Sequence, residues 1–360
     1  MKPLFGNLRV KTERYRKFWS RESVQRPLVG FTQIGWFPLN EFAAAKCWAG
    51  CEYITPETID PAQLVPDHVR MVAEGDLIED DLIRGIGPMS VALPFLPAML
   101  GSRLRLLADN VLGVEQNLSW DEALAVRLDS EGPWYLKYME LVGALVSAAE
   151  GRFPVSHGAE IGPTDIHAVL RGHTQSIIDS VEEPERTQRL LARAGGWLAE
   201  LTEAVWNRLP RFEGGWFDGQ YCLWAPGPIA RLQEDASAVY SPALYRRLVK
   251  PVDRVLSRRF ECAFMHLHST SMFLLDEFLA IEELNCFEIN HDVSGPPLAD
   301  MIPCFRQVQA ARRSLVVRGA FSPDELRQLT DALDARGLFL LIMIRDFAEI
   351  DELKRILGMS

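Results

Sequence analysis

The chain is short of cysteine, of positive charge and of long apolar runs. Its 360 residues hold six cysteines, Cys47, Cys51, Cys222, Cys262, Cys286 and Cys304. Thiols spread this thinly exclude a disulfide scaffold and fit a reduced, cytoplasmic setting. Lys and Arg number 38 against 49 Asp and Glu, a formal net charge of −11. No nucleic-acid partner is expected of so acidic a chain, because phosphate binding needs a basic face. No segment approaches roughly 18 uninterrupted apolar residues, so no membrane span is expected. The richest, Val91 to Leu100, is interrupted by Pro94 and Pro97. The opening residues, MKPLFGNLRVKTERYRKFWSRES, lack the apolar core of a secretory signal. Also missing are a G-x-G-x-x-G or Walker loop, H-E-x-x-H, G-x-S-x-G and any C-x-x-C pair.

What is present is ordinary globular composition, 48% apolar and 24% charged. Strand-like and helix-like segments alternate. Residues 11–26 read as a helical extension, followed by a strand at Leu28–Thr32. Residues 38–75 read as helices with turns, and Asp76–Ile86 as a second strand. Residues 87–133, rich in Pro and Gly, read as a flap or insertion. Helices are expected at Tyr135–Glu150, Ile166–Ile178 and Glu185–Leu209, with strands at 152–157 and at Trp216–Trp224. After Ala225-Pro-Gly-Pro a helix is expected, and Ser241-Pro242 caps another. Strands at Cys262–His268, Cys286–Asp292, Leu315–Gly319 and Leu338–Ile344 then alternate with helices. This rhythm implies a parallel sheet, and about eight strands imply a (β/α)8 TIM barrel of one domain spanning 1–360.

The sharpest local feature is Met265-His-Leu-His-Ser269. On a strand His266 and His268 project to one side, at the strand's C-terminal end, where barrels place active sites. Two imidazoles so spaced make half of a metal site, with zinc the ion that suits them. Hydrogen-bonded histidines without a metal are the plainer alternative. On the next strand Glu288, Asn290 and Asp292 share a side, and a carboxylate there, Glu288 or Asp292, would complete the ligand set. Alternatively Asp292 fixes a turn and Glu288 pairs with a buried Arg; which of Glu288, His291 and Asp292 faces the cavity is left open. His157 and Asp235 are candidate general acid/base groups. Trp36, Trp216, Asp218, Tyr221, Trp224, Gln233 and His291 are candidates to line a small-molecule site. Asp165 reads as a helix N-cap.

Taken in order, Gly162-Pro-Thr-Asp-Ile166 with Arg171-Gly172, Trp224-Ala-Pro-Gly, Gln233-Glu-Asp235, Ser241-Pro242, His266-Leu-His268-Ser and Glu288-Ile-Asn-His-Asp292 resemble the uroporphyrinogen decarboxylase superfamily. That superfamily also contains zinc-dependent methyltransferases acting on methylated corrinoids. The resemblance spans roughly 27–357 and implies the barrel with extra N-terminal helices. The decarboxylases carry an N-terminal Arg-Gln-Ala-Gly-Arg motif, where this chain has Gly30-Phe-Thr-Gln-Ile-Gly-Trp36. Ala92 stands where their catalytic Asp belongs. An octa-anionic tetrapyrrole needs cationic partners, so uroporphyrinogen is not the expected substrate. The methyltransferase branch places His-x-Cys at 266–268; this chain has His-x-His.

Three readings follow. The first is a zinc-dependent enzyme of methyl transfer or related bond cleavage on a small, aromatic substrate, with a separate corrinoid protein as partner, since no cobalamin-binding D-x-H-x-x-G signature occurs in the chain. The second is a metal-free decarboxylase of a small aromatic or tetrapyrrole-like acid, with Arg171, Arg231 and Arg345 as candidate carboxylate partners. The third is a non-catalytic binding barrel. A homodimer is compatible with each.

Overall fold

The computed structural model describes residues 4–33, 43–88, 93–108, 110–158 and 160–359. Six strands form one parallel sheet: β1 (Leu28–Gln33), β2 (Ile229–Gln233), β3 (Cys262–Leu267), β4 (Cys286–Asn290), β5 (Ser314–Gly319) and β6 (Leu338–Ile344). Their spatial order is β1-β6-β5-β4-β3-β2. Crossovers between consecutive strands run through helices, including Lys250–Arg259, Leu298–Ala310 and Pro323–Ala332. Strands β2, β3 and β5 are buried at every position. That is expected of parallel strands covered on both faces, and it explains apolar runs such as Leu338-Phe-Leu-Leu-Ile-Met-Ile344.

Helix α1 (Leu8–Ser20) closes the end of the sheet where the strands begin. Its Phe18 carbonyl accepts from Ser314 Oγ at 2.8 Å, and its Tyr15 and Phe18 rings meet Phe339 edge-on. The opposite end, where the strands finish, is left for the site. Among the described residues no helix is long and apolar enough to cross a membrane.

Several expectations are corrected. Asp76–Ile86 is not a regular strand: it contributes one parallel bridge, Ile86 to Val155. In its place two carboxylates serve the edge of β1. Asp81 accepts from Val29 N at 3.0 Å and Asp80 from Phe31 N at 2.9 Å, so side chains satisfy amides a neighbouring strand would otherwise take. Segment 152–157 likewise contributes that bridge alone. Trp216–Trp224 is not one strand but an antiparallel hairpin, Trp216–Asp218 against Leu223–Ala225. The segment after Ala225-Pro-Gly-Pro, expected helical, is strand β2. Ile166–Ile178 is two helices, Pro163–Arg171 and His173–Glu182, because Gly172 sits at φ 94° and breaks the turn. Within 87–133, Leu104–Leu106 and Val111–Gly113 pair antiparallel and join Tyr53–Ile54 in a three-stranded ribbon.

Candidate metal centre

Register sets the site. Gln233, His266 and Glu288 lie abreast on β2, β3 and β4. Parallel partners in register point to the same side, so these three side chains share one face. His268, two residues past His266, stays on that side as the strand ends. The two imidazoles meet tip to tip, Nε2 to Nε2 at 3.2 Å, with the rings at 79°.

Each ring is held from behind by a carboxylate. His266 Nδ1 is hydrogen-bonded to Glu288 and lies 2.9 Å from the Tyr221 hydroxyl. His268 Nδ1 is 2.8 Å from Asp292 Oδ1. Asp292 is itself fixed, taking the Ser269 amide at 2.9 Å, the Ser269 hydroxyl at 2.8 Å and the Asn290 side-chain amide at 2.5 Å. Burial opposes its ionisation, but these bonds together hold its carboxyl well below the ordinary carboxylate range. The bond to Asp292 in turn raises the pKa of His268. With both Nδ1–H groups donated to carboxylates, both Nε2 lone pairs point into one small space.

The third group facing that space is Asp235. Its Oδ2 accepts from Gln233 Nε2 at 2.6 Å and lies 4.0 Å from His268 Nε2. One donor atom from each of Asp235, His266 and His268 falls within 4.8 Å of the other two. The backbone around Asp235 is anchored on both sides. Ala236 N donates to Asp165 Oδ1 at 2.9 Å, and Glu234 accepts from Thr164 N at 2.8 Å. Burial, then the neighbouring Asp235, pushes Asp165 up to about 7. Burial and Asp253 push Glu234 up well beyond the usual range.

The expected site residues therefore separate. Glu288 and Asp292, read from sequence as the completing ligands, lie at the Nδ1 side of the rings, away from the space between them. Asp235, read as a general acid/base, is the carboxylate on the Nε2 side. Tyr221 and Gln233 are at the site. Asp218 is buried and closes the hairpin turn by accepting from Tyr221 N at 2.9 Å. Trp224 is not a cavity wall: it is fully buried under α1, donating to Phe212 O at 2.8 Å and tilted against Tyr15. Trp216 stacks under Arg211 and makes no ring contact or hydrogen bond with the histidines. His291 stacks on Phe321. His157 is buried against Trp206, its pKa lowered by desolvation, and has no bond to Asp235 or the histidine pair. Trp36 and Ala92 lie outside the described residues. Of the three arginines named as carboxylate partners, Arg171 is held by Asp179 at 2.7 Å, Arg345 is exposed and Arg231 is interior.

Close to Arg231, Glu160 is buried and accepts from Leu96 N at 2.9 Å. Burial pushes its pKa from 4.5 to about 7. The folded protein therefore holds a proton there that the unfolded chain releases. Stability from this group is full below about pH 4.5 and is lost as pH rises to about 7, by on the order of 3 kcal/mol. In Glu160→Gln the side chain stays neutral, so the melting temperature relative to wild type should rise between pH 5 and pH 8. A difference independent of pH would contradict this assignment.

No protein-family model matches the chain, and no curated protein does. Among solved structures it is similar to a methyltransferase from Methanosarcina mazei, with a TM-score of 0.62 and 12% identity over 97% of each chain. At that identity the likeness is one of fold.

Proposed function

We propose that the chain is a metal-dependent enzyme of methyl transfer, with His266 Nε2, His268 Nε2 and the Asp235 carboxylate as the ligands of a divalent cation, zinc by its donor set. The observation that carries this reading is the pair of Nε2 atoms 3.2 Å apart, each ring pinned at Nδ1 by its own carboxylate. A cation between them would relieve two lone pairs so opposed, and imidazole with a carboxylate at its back is the usual arrangement at zinc. The likeness to a methyltransferase and the ordered resemblance to the superfamily with corrinoid-dependent members agree with it. Bound there, zinc would lower the pKa of a thiol, hydroxyl or water and favour its anion as the methyl acceptor.

The chain's own groups do the rest. Glu288 and Asp292 set the tautomers and the ring angles. Gln233 turns Asp235 toward the histidines. Burial and then Glu288 raise the Tyr221 pKa, so its hydroxyl keeps its proton beside His266. The methyl donor we propose is a separate corrinoid protein, and the acceptor a small molecule. Purified protein with zinc should demethylate methylcobalamin when given a thiol or phenol acceptor; absence of transfer across such a panel would sink the reading. Glu288→Gln, which weakens the support behind His266, should lower zinc affinity about 10–100-fold in competition with a chromophoric chelator. Unchanged affinity would remove Glu288 from the site.

We also read the sheet as part of a closed (β/α)8 barrel. Support comes from the chain that continues past β1: Asp81 N bonds to Val29 O at 3.0 Å, Ile86 N to Pro154 O at 3.1 Å, and Gly219 N to Ser156 Oγ at 2.9 Å. These links lead from β1 toward the hairpin that precedes β2.

A metal-free decarboxylase is the second reading. The raised pKa of His268 favours it, because a proton shared between the two Nε2 atoms would also relieve their repulsion. Carbon dioxide release from a small acid by chelator-treated protein would select it.

A further inference from the structure

Four arginines among the described residues are buried: Arg84, Arg171, Arg231 and Arg318. Two have carboxylate partners, Arg84 with Asp80 at 2.6 Å and Arg171 with Asp179 at 2.7 Å. The other two have none within ion-pair distance. Arg231 bonds to neutral acceptors, the Gln220 side chain and, at 3.1 Å, the Glu160 carbonyl. Arg318 donates from Nη1 to Asn290 Oδ1 at 3.1 Å. The Nε of each is buried without a partner. A guanidinium taken out of water and left without an anion is strongly unfavourable. Arg231 has the buried Asp218 and Glu160 carboxyls in its field, whereas Arg318 has no carboxylate within ion-pair distance and so has an anion still to receive.

Position favours the same conclusion. Arg318 is in register with Asn290, and Val316, two residues earlier on β5, is in register with Glu288. The Arg318 side chain therefore points to the face that carries Glu288. Its guanidinium carbon lies 6.0 Å from the centre of the Tyr221 ring, and the Tyr221 hydroxyl is 2.9 Å from His266 Nδ1. Arg318 keeps its whole Nε–Nη2 edge unused, the edge that fits a planar carboxylate with two parallel bonds.

We propose that the unpaired edge of Arg318, with Arg231 as a second buried charge, anchors a carboxylate of the substrate, so that the substrate is a small carboxylic acid. The proposal rests on the reading of the histidine pair as the reacting centre, but its test does not depend on the metal. Binding of benzoate and acetate would be compared with that of benzamide and acetamide by calorimetry at constant ionic strength, in zinc-loaded and chelator-treated full-length protein. At least one acid should bind about ten-fold or more tighter than its amide in both forms, as expected of a charged hydrogen-bonded pair. Arg318→Gln should reduce that ratio to near one while leaving zinc content unchanged. Arg318→Lys keeps the charge without the fork and should fall between, and it remains informative if the Gln variant does not fold. Equal binding of acid and amide, a preference that survives Arg318→Gln, or one that disappears when zinc is removed would each overturn the proposal. Loss of zinc binding with the preference intact would overturn the metal reading alone.

Discussion

Replacing both His266 and His268 by alanine should take the purified protein from about one zinc per chain to almost none and should abolish methyl transfer. Two of the three donor atoms disappear, and the Asp235 carboxylate, at the more open edge of the site, cannot hold the ion alone. Charge stabilisation by a bound metal is worth several kcal/mol, so activity should fall by about a thousand-fold or more. His266 is buried and its Nδ1 is bonded to Glu288, which is fully buried. The double variant therefore needs a check of fold by circular dichroism. The single variant His268→Ala, at the more exposed ring, separates metal loss from unfolding. Zinc that persists in a folded double variant would place the ion elsewhere and end this assignment.

The second large effect concerns stability. Asp80→Ala should destabilise the protein by about 3–5 kcal/mol, the cost of leaving one buried charge without its partner. The carboxylate accepts from Phe31 N, from Leu82 N and from both Nη atoms of Arg84, at 2.6–2.9 Å. Without it Arg84 is a buried cation facing the Phe31 carbonyl alone, and the edge amide of β1 loses its acceptor. Urea unfolding monitored by tryptophan fluorescence measures the loss directly. Asp80→Asn keeps an acceptor for the amides but not the charge and should cost less. A loss under about 1 kcal/mol for the alanine variant would mean that water or another group replaces the carboxylate.

The core strands were legible in the sequence because their chemistry is uniform. Leu338–Ile344 is apolar throughout, and Cys262–Leu267 is apolar but for the histidine near its end. Alternation alone placed His266 and His268 together; that Glu288 faces them follows from the register of β3 with β4. Strand β2 was not legible. Ile229-Ala-Arg-Leu-Gln233 alternates only over its last four residues, a run too short to separate a strand from the helix expected after Ala225-Pro-Gly-Pro. It is a strand because Arg231 and Gln233 face an interior that contains polar partners, Gln220 and Asp235. That interior is assembled from distant parts of the chain and leaves no local signal.

The roles of the carboxylates were hidden for a similar reason. Spacing puts Glu288 and Asp292 on one side of their strand, but ring rotation decides whether they meet Nδ1 or Nε2. Asp235 is drawn toward the histidines by Gln233 and by the loop bonds of Ala236 and Glu234, contacts made across about seventy residues to Asp165 and Thr164. Arg318 gave no sign in the sequence, since an arginine within Leu-Val-Val-Arg-Gly319 looks like any strand residue near a turn. Its significance lies in the partners it lacks. Trp224 shows the opposite error: an aromatic beside a candidate loop is more often core, and here it lies under α1.

A crystal structure of the zinc-supplemented protein, with anomalous data at the zinc edge, would show whether Asp235 and the two imidazoles share one ion. A single ion should be bonded to His266 Nε2 and His268 Nε2 at about 2.0–2.1 Å and to an Asp235 oxygen at about 2.0–2.2 Å, with a further position open to the acceptor. Glu288 and Asp292 should remain on the Nδ1 atoms. An ion bound instead by Glu288 or Asp292, or no anomalous peak between the two rings, would contradict this ligand set.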